Sequence, residues 1–449
     1  MNNIILNIGK VFLLCFLLIG YTSCDLDDDG NPNGPSLDFL EANATLSDLQ
    51  LLVVGTESLM RGDIGFYYEA VSIVGREAYR ITGSDPRYTT ELLGGGSSTL
   101  DNSTFYTTRS FTGRYRCVRN ANILLNAVAN TSEALTTEEK NGFMGFAKTV
   151  MAYQLLLNLN MQYENGVRVD VADKDNLGPF LSYDQSLADI RALLDEANVL
   201  LTSAGEEFKF NLSSGFTGFN TPATFAQFNR GIAARVALYQ EDWAAADDLV
   251  EASFYNSDVD MNAGVSHVFS QAGGDRPNPM NYVPAGPDAF VAHPSFVTDM
   301  EEGDLRISKV AIREAEDEDG EIVVVPASQD GLSSDYDVAL YFSPSAPIVI
   351  LDKEELVLMS AEAKIQNGET GLGLEDINAV RTSNGLEAYS GDESVEALID
   401  EVLHQRRYSL FIRGHRWVDM RRYGRLGDLP LDRPDDDVWV QFPRPNTEN

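Results

Sequence analysis

Apolar side chains recur at steps of three and four along residues 182–205, where Leu187, Ile190, Leu194, Ala197 and Leu201 form a single stripe. An α-helix returns to the same side about every 3.6 residues, so this spacing predicts a helix packed through one face. Ser182 or Asp184 can cap its start and Gly205 can end it. Residues 138–166 read differently. Phe143, Ala147, Val150, Gln154 and Leu157 mark one face, with Phe146 and Tyr153 beside it. A helix that is apolar on more than one side belongs in the interior. A shorter helical pattern over 117–130 precedes it, and the two are expected to form an antiparallel pair. Two further pairs follow. One carries Phe228, Ile232 and Val236, turns at Glu241-Asp242 and continues from Trp243 to Ala252. The other carries Leu356, Met359 and Ala363, then a Gly-rich turn and a helix through Ile377.

Alanines sit in both of these pairs where helices must approach closely, which resembles tetratricopeptide repeats, although no fixed repeat length is kept. Between the pairs the texture changes. Residues 254–350 hold Gly-Gly, Arg-Pro-Asn-Pro and Val-Pro-Ala-Gly-Pro and few helical stripes, and residues 91–113 read as another loop-rich insertion. The run VAIREAEDEDGEIVVVP predicts a hairpin turning near Asp319-Gly320. The expectation is a mainly α fold: a tetratricopeptide-like scaffold of helical pairs carrying a loop-rich irregular lobe with short hairpins. The pairs are placed near 115–165, 183–204, 224–253, 353–382 and 393–413, and the lobe near 61–113 and 254–350. Binding surfaces tend to be carried by such loops.

The amino-terminal segment adds a location. Lys10 precedes an apolar run, Val11 to Ile19, too short to span a bilayer as a helix, and small residues follow. This is the pattern of a secretory signal over residues 1–23. Its end, Tyr21-Thr22-Ser23-Cys24, resembles a bacterial lipobox. The resemblance implies acylation of the Cys24 thiol and a chain hung from a membrane through lipid only. Each buried methylene contributes about 0.8 kcal/mol, so several acyl chains anchor firmly. Residues 24–36 begin with four aspartates in five positions after Cys24 and continue into Asn-Pro-Asn-Gly-Pro, which reads as an acidic, flexible tether. An acidic run at this place resembles the signal that sends lipoproteins to the cell surface in Bacteroides-type bacteria. The same aspartates match half of a calcium loop, but Ser36 stands where the bidentate Glu is needed, so no calcium site is expected.

Composition narrows the chemistry. The formal net charge of −36 repels phosphate backbones, so nucleic acid is not expected as a partner. Three cysteines, Cys15, Cys24 and Cys117, cannot build a disulfide framework. The four histidines, His267, His293, His404 and His415, show no zinc-binding spacing. There is no Gly-x-Ser-x-Gly element, no phosphate-binding glycine loop, and no way to select a catalytic carboxylate pair among 69 acids. No cofactor, metal or catalytic residue is expected.

The stretch HQRRYSLFIRGHRWVDMRRYGRL, residues 404–426, resembles the signature of the SusD/RagB family, surface lipoproteins for nutrient uptake in Bacteroidota. Arg406, Arg407, Gly414, His415, Arg416, Trp417, Asp419, Arg422 and Gly424 match it. Gln405, Ser409 and Arg413 stand where acids are frequent, which is expected to weaken local ion pairs. LMSAEAKIQNGE with INAVRTSNGL, the FPRPNTEN ending and SDPRYTTELLGG are also similar to family segments. The resemblance implies one SusD-like unit over 37–449 on the cell outer membrane. It would act as a lid on a SusC-like TonB-dependent transporter, holding an oligosaccharide or a peptide before import, with the helical half toward the transporter. A repeat-type adaptor for another protein and a surface hydrolase are the alternatives.

Sugar rings stack on aromatic faces, and carboxylates, amides and arginines take their hydroxyls. Trp243 and Trp417 read as packing. The stretch from Gly65 to Thr90 is richer in candidates: Tyr67, Tyr68, Tyr79, Arg80, Asp85, Arg87 and Tyr88 are the expected ligand contacts, with Tyr282 in NYVPAGP added.

Overall fold

The computed structural model describes residues 37–448; the expected leader, Cys24 and the acidic tether lie outside them. The helices in chain order are α1 (Leu37–Asn43), α2 (Leu46–Met60), α3 (Ile64–Val74), α4 (Phe105–Asn130), α5 (Thr137–Gln162), α6 (Tyr183–Thr202), α7 (Pro222–Tyr239), α8 (Trp243–Glu251), the single turn α9 (Ser295–Thr298), α10 (Lys353–Gln366), α11 (Thr370–Ser383), α12 (Val395–Ser409) and α13 (Arg416–Arg422). Each long helix packs on the next. The succession runs from α2 on α4 through α5, α6, α7 and α8 to α10, which also carries α11 and α12. This is the tetratricopeptide-like stacking that the paired patterns predict.

Local chemistry explains the boundaries. Ser182 and Gln185 cap α6 reciprocally, and Leu187, Ile190, Leu194, Ala197 and Leu201 are all buried. Burying each large aliphatic side chain contributes about 1.5–3 kcal/mol. Thr136 and Glu139 form the same box on α5, which is buried on nearly all sides from Gly142 to its end. Gly145 lets α5 approach α6: a Cβ there would sit 2.6 Å from Leu201 Cγ. The turn into α8 is made by Glu241 at φ 57°. Of the Gly-rich run after α10, Gly368 alone makes the turn. Gly371 and Gly373 lie inside α11, and Gly373 packs against the Ala361 carbonyl of α10.

Two segments expected as loop are helical. Residues 105–113 are the first turns of α4, although Thr and Ser are weak helix formers. Their hydroxyls are occupied: Thr108 donates to the Thr104 carbonyl at 2.8 Å and Thr107 to the Asp101 carbonyl at 2.8 Å, while Tyr106 and Phe111 are buried. Within 61–90, α3 is buried along its whole length except at Phe66, so it shows no polar face to announce it.

The irregular lobe is built on short antiparallel strands. β1 (Ala78–Ile81), β3 (Ala289–Ala292), β9 (Tyr336–Val338) and β4 (Val310–Ile312) form one sheet in the order β1-β3-β9-β4. β2 (Gly264–His267) pairs with β10 (Ile348–Asp352), and β7 (Ala327–Gln329) with β8 (Leu332–Ser334). The hairpin of β5 (Glu314–Glu316) and β6 (Ile322–Val324) turns through Gly320 at φ 80°. The register Tyr79↔Val291, Arg80↔Phe290 ties residues near 80 to residues near 290.

The arginine-rich end is internal. Arg406 and Arg422 share Asp419 at 2.7 and 3.0 Å, and Arg422 also pairs with Glu362 of α10. The non-acidic positions do not leave the region unpaired. Arg413 pairs with Asp352 at 2.7 Å, Gln405 accepts from Arg306 at 2.7 Å, and Ser409 donates to Glu354 at 2.9 Å. The expected weakening is corrected by partners distant in sequence. Trp417 is fully buried and donates to the Trp439 carbonyl at 2.7 Å.

Candidate functional site

Helix α3 and strand β1 sort the expected residues by direction. On α3, Tyr67 and Tyr68 turn inward, 1% and 2% exposed, with their rings edge to face at 5.3 Å. Phe66 and Glu69, three apart, share another face. On β1 successive side chains take opposite sides. Tyr79 goes to His293, ring to ring at 5.1 Å, while Arg80 goes to Asp288 at 2.6 Å and Glu69 at 3.5 Å. Tyr67, Tyr68 and Tyr79 are therefore core side chains, and their expected role as ligand contacts is corrected on that ground: no face of theirs is open to a ligand.

The other aromatic candidates converge. Tyr88 and Tyr282 line a cavity of about 400 Å³ together with Phe66, Glu69, Arg61, Asp63, Arg276, Pro277 and Pro279. Both phenols donate to Glu69, Tyr88 at 2.9 Å to one carboxylate oxygen and Tyr282 to the other. Arg80 lies beneath, its guanidinium carbon 4.3 Å from the Tyr282 ring centre and 5.6 Å from that of Tyr88. Such cation–π contacts add about 0.5–2 kcal/mol each and hold the rings. Asp85 and Arg87 stand at the edge. Asp85 caps the turn Pro86–Tyr88 and takes Arg87 at 2.6 Å, and Arg87 lies 4.9 Å over the Phe105 ring. Phe105 is 5.0 Å from Tyr88 and 5.5 Å from Phe66, ring to ring.

Burial sets the charge states. Desolvation raises the Glu69 carboxyl above its ordinary value, against the two phenol bonds and Arg80. Burial and then the Glu69 charge raise the phenols of Tyr88 and Tyr282, which stay donors. For Arg80 burial opposes the charge, but Tyr282, Glu69 and Asp288 outweigh it and the group is raised. The wall is thus a closed polar network behind aromatic rings, with arginine and Asp63 at the opening.

Phe66, Glu69, Phe105 and Arg276 were not among the expected contacts. The signal for the first two was their i, i+3 spacing, hidden while the segment was read as loop. A second cavity, about 550 Å³, lies between α4 and the loop 168–177 and contains none of the expected site residues. Cys117 is fully buried and burial pushes its thiol up to about 12. Among the described residues no group of three or more His, Cys, Asp or Glu side chains is placed to hold a metal ion, and no helix is long and apolar enough to cross a membrane.

Residues 354–449 match the model of the SusD family. Over that carboxy-terminal part the chain is similar to the SusD family. Its structure superposes on that of a SusD superfamily protein from Bacteroides vulgatus ATCC 8482 with a TM-score of 0.69 at 17% identity, covering 90% of this chain and 96% of the other. A laminarin binding SusD-like protein gives 0.67 at 17% identity over 91% and 97%. Surface glycan-binding protein A from Bacteroides thetaiotaomicron gives 0.69 at 11% identity over 90% and 96%. No curated protein matches the chain. The family match covers α10 to the C-terminus, while the cavity is built from segments 61–88 and 276–282 outside it.

Proposed function

We propose that this chain is a SusD-like, non-catalytic, nutrient-binding lipoprotein of the outer cell surface. It captures an oligosaccharide in the Phe66–Tyr88–Tyr282 cavity and passes it to a SusC-like TonB-dependent transporter. The carrying observation is the cavity itself: aromatic rings fixed from behind by Glu69 and Arg80, with open polar groups at the mouth. Rings held in this way offer apolar faces to sugar C–H groups, and the ordering cost is met before the ligand arrives. The laminarin-binding and surface glycan-binding neighbours share the frame and support a glycan over a peptide. Cys24 supplies the lipid anchor, residues 24–36 the tether, and the helical stack the face toward the transporter.

Titration calorimetry with an oligosaccharide panel tests capture. Tyr88→Ala removes one of the three rings of the wall and is expected to weaken binding at least about tenfold, or about 1.4 kcal/mol, with the far-ultraviolet circular dichroism unchanged. Unchanged affinity removes this cavity from the account. Recovery of a TonB-dependent receptor with the tagged protein tests the lid role, and mass spectrometry of the mature amino terminus tests acylation at Cys24.

A further inference from the structure

The chain carries 69 acidic residues against 33 Lys and Arg, yet the cavity lining holds two arginines against two acids, Asp63 and Glu69, and further arginines stand around it. Arg61 and Arg276 line the cavity. Arg109 lies 4.5 Å over the Phe66 ring, and Arg87, neutralised by Asp85 at 2.6 Å, stands over Phe105 at the edge. Arg109 and Arg116 take the two oxygens of one carboxylate, Asp63, at 3.3 and 3.9 Å, which leaves this group of three with one net positive charge. Arg61 pairs with Asp275 at 2.8 Å. Arg276 has no ion pair among the described residues, and its place is set by the loop that carries it. Asn278 is tied by its N–H to the Pro344 carbonyl at 2.8 Å and by its side chain to the Ala346 carbonyl at 2.8 Å, between Pro277 and Pro279. Pro279 packs on Gly65, where a Cβ would come within 2.9 Å. The one carboxylate behind the rings, Glu69, is already engaged by two phenols and Arg80.

We propose that the ligand is an anionic oligosaccharide, bearing carboxylate or sulfate groups, whose rings lie on Phe66 and Tyr88 while its charges meet Arg276 and Arg109. The proposal rests on the cavity being the capture site. A surface of net charge −36 repels anions at long range, so an acidic ligand needs a local cationic rim to be retained. Guanidinium forks match carboxylate and sulfate oxygens with two parallel bonds, which point-charge lysines do not. A neutral glycan could accept hydrogen bonds from Arg276 but would gain nothing from its charge.

Calorimetry on the purified chain with oligogalacturonate and a heparin-derived hexasaccharide, against laminarihexaose and maltohexaose, decides it. One anionic probe is expected to bind at least about tenfold tighter than either neutral one, with the advantage shrinking as salt screens the rim. Arg276→Ala is expected to lower anionic affinity at least about fivefold, and Arg276→Lys to recover only part of it. Binding of a neutral probe as tightly, an inert Arg276→Ala, or no binding of any anionic probe overturns the proposal. Neutral binding lost in Tyr88→Ala leaves the cavity as the site and removes only the charge inference. Binding indifferent to both Tyr88→Ala and Tyr282→Ala removes the cavity reading as well.

Discussion

Glu77→Gln should make the protein more stable in alkaline buffer. Glu77 joins α3 to β1, is 3% exposed, and accepts the Ile412 N–H at 3.2 Å. Ile412 is a β-branched residue at φ 61°, so this bond holds a strained backbone in the arginine-rich segment. The second carboxylate oxygen has no hydrogen-bond partner, and neither has the Ser72 hydroxyl. Burial is the largest cause of a Glu77 pKa raised to about 7 from 4.5, with the Ile412 bond and Arg416 acting the other way. A raised carboxyl favours the folded state when protonated. Its contribution is therefore complete below about pH 4.5 and is lost as pH rises through about 7. The full span corresponds to about 3 kcal/mol. Gln keeps an acceptor for Ile412, adds a donor for Ser72 and does not titrate. The gain of the variant over the parent should thus grow by about 2–3 kcal/mol between about pH 5 and about pH 8. Urea unfolding at both values measures it. The buried imidazoles His267 and His415, both lowered, favour the fold as pH rises, but they are common to both proteins and cancel in the difference. A gain that is flat or falls across this window would show that Glu77 is ionised at no cost, and the reasoning would be wrong.

Glu355→Ala should cost about 3–5 kcal/mol in chemical unfolding, because it strands the buried Arg235, now held at 2.7 and 2.9 Å. Gly414→Val should lower the melting midpoint by several degrees, an effect of about 2–3 kcal/mol; the position sits at φ 77° and a Cβ would approach Val71 Cγ2 to 2.9 Å. Tyr282→Phe keeps the ring and deletes its donation to Glu69, so calorimetry should show ligand affinity reduced less than in Tyr282→Ala, with stability lower by about 1–2 kcal/mol.

Local chemistry alone determined much of this protein. The stripe from Leu187 to Leu201, the caps at Ser182 and Thr136, the turn at Gly320 and the motif order from Arg406 to Gly424 each state their structure in a few neighbouring residues. So the helical class and the SusD-like resemblance were legible, and the sequence pointed to Arg80, Tyr88 and Tyr282, which the fold brings to one cavity wall. What was not legible is which aromatics face the cavity. Helix α3 is buried nearly all round, so no polar stripe marks its period, and Tyr67 and Tyr68 were expected at the site in place of Phe66. A rotation of about 100° per residue then sends neighbours to different sides. Nor could the partners of Gln405, Ser409 and Arg413 be read nearby, since they lie at Arg306, Glu354 and Asp352. The cavity itself exists only because β1 pairs with β3, which brings Glu69 within reach of Tyr282 across more than two hundred residues of chain. Short-range propensity decides whether a segment coils or extends, whereas a binding wall is a product of which distant segments share one core, and that only the packed tertiary structure decided.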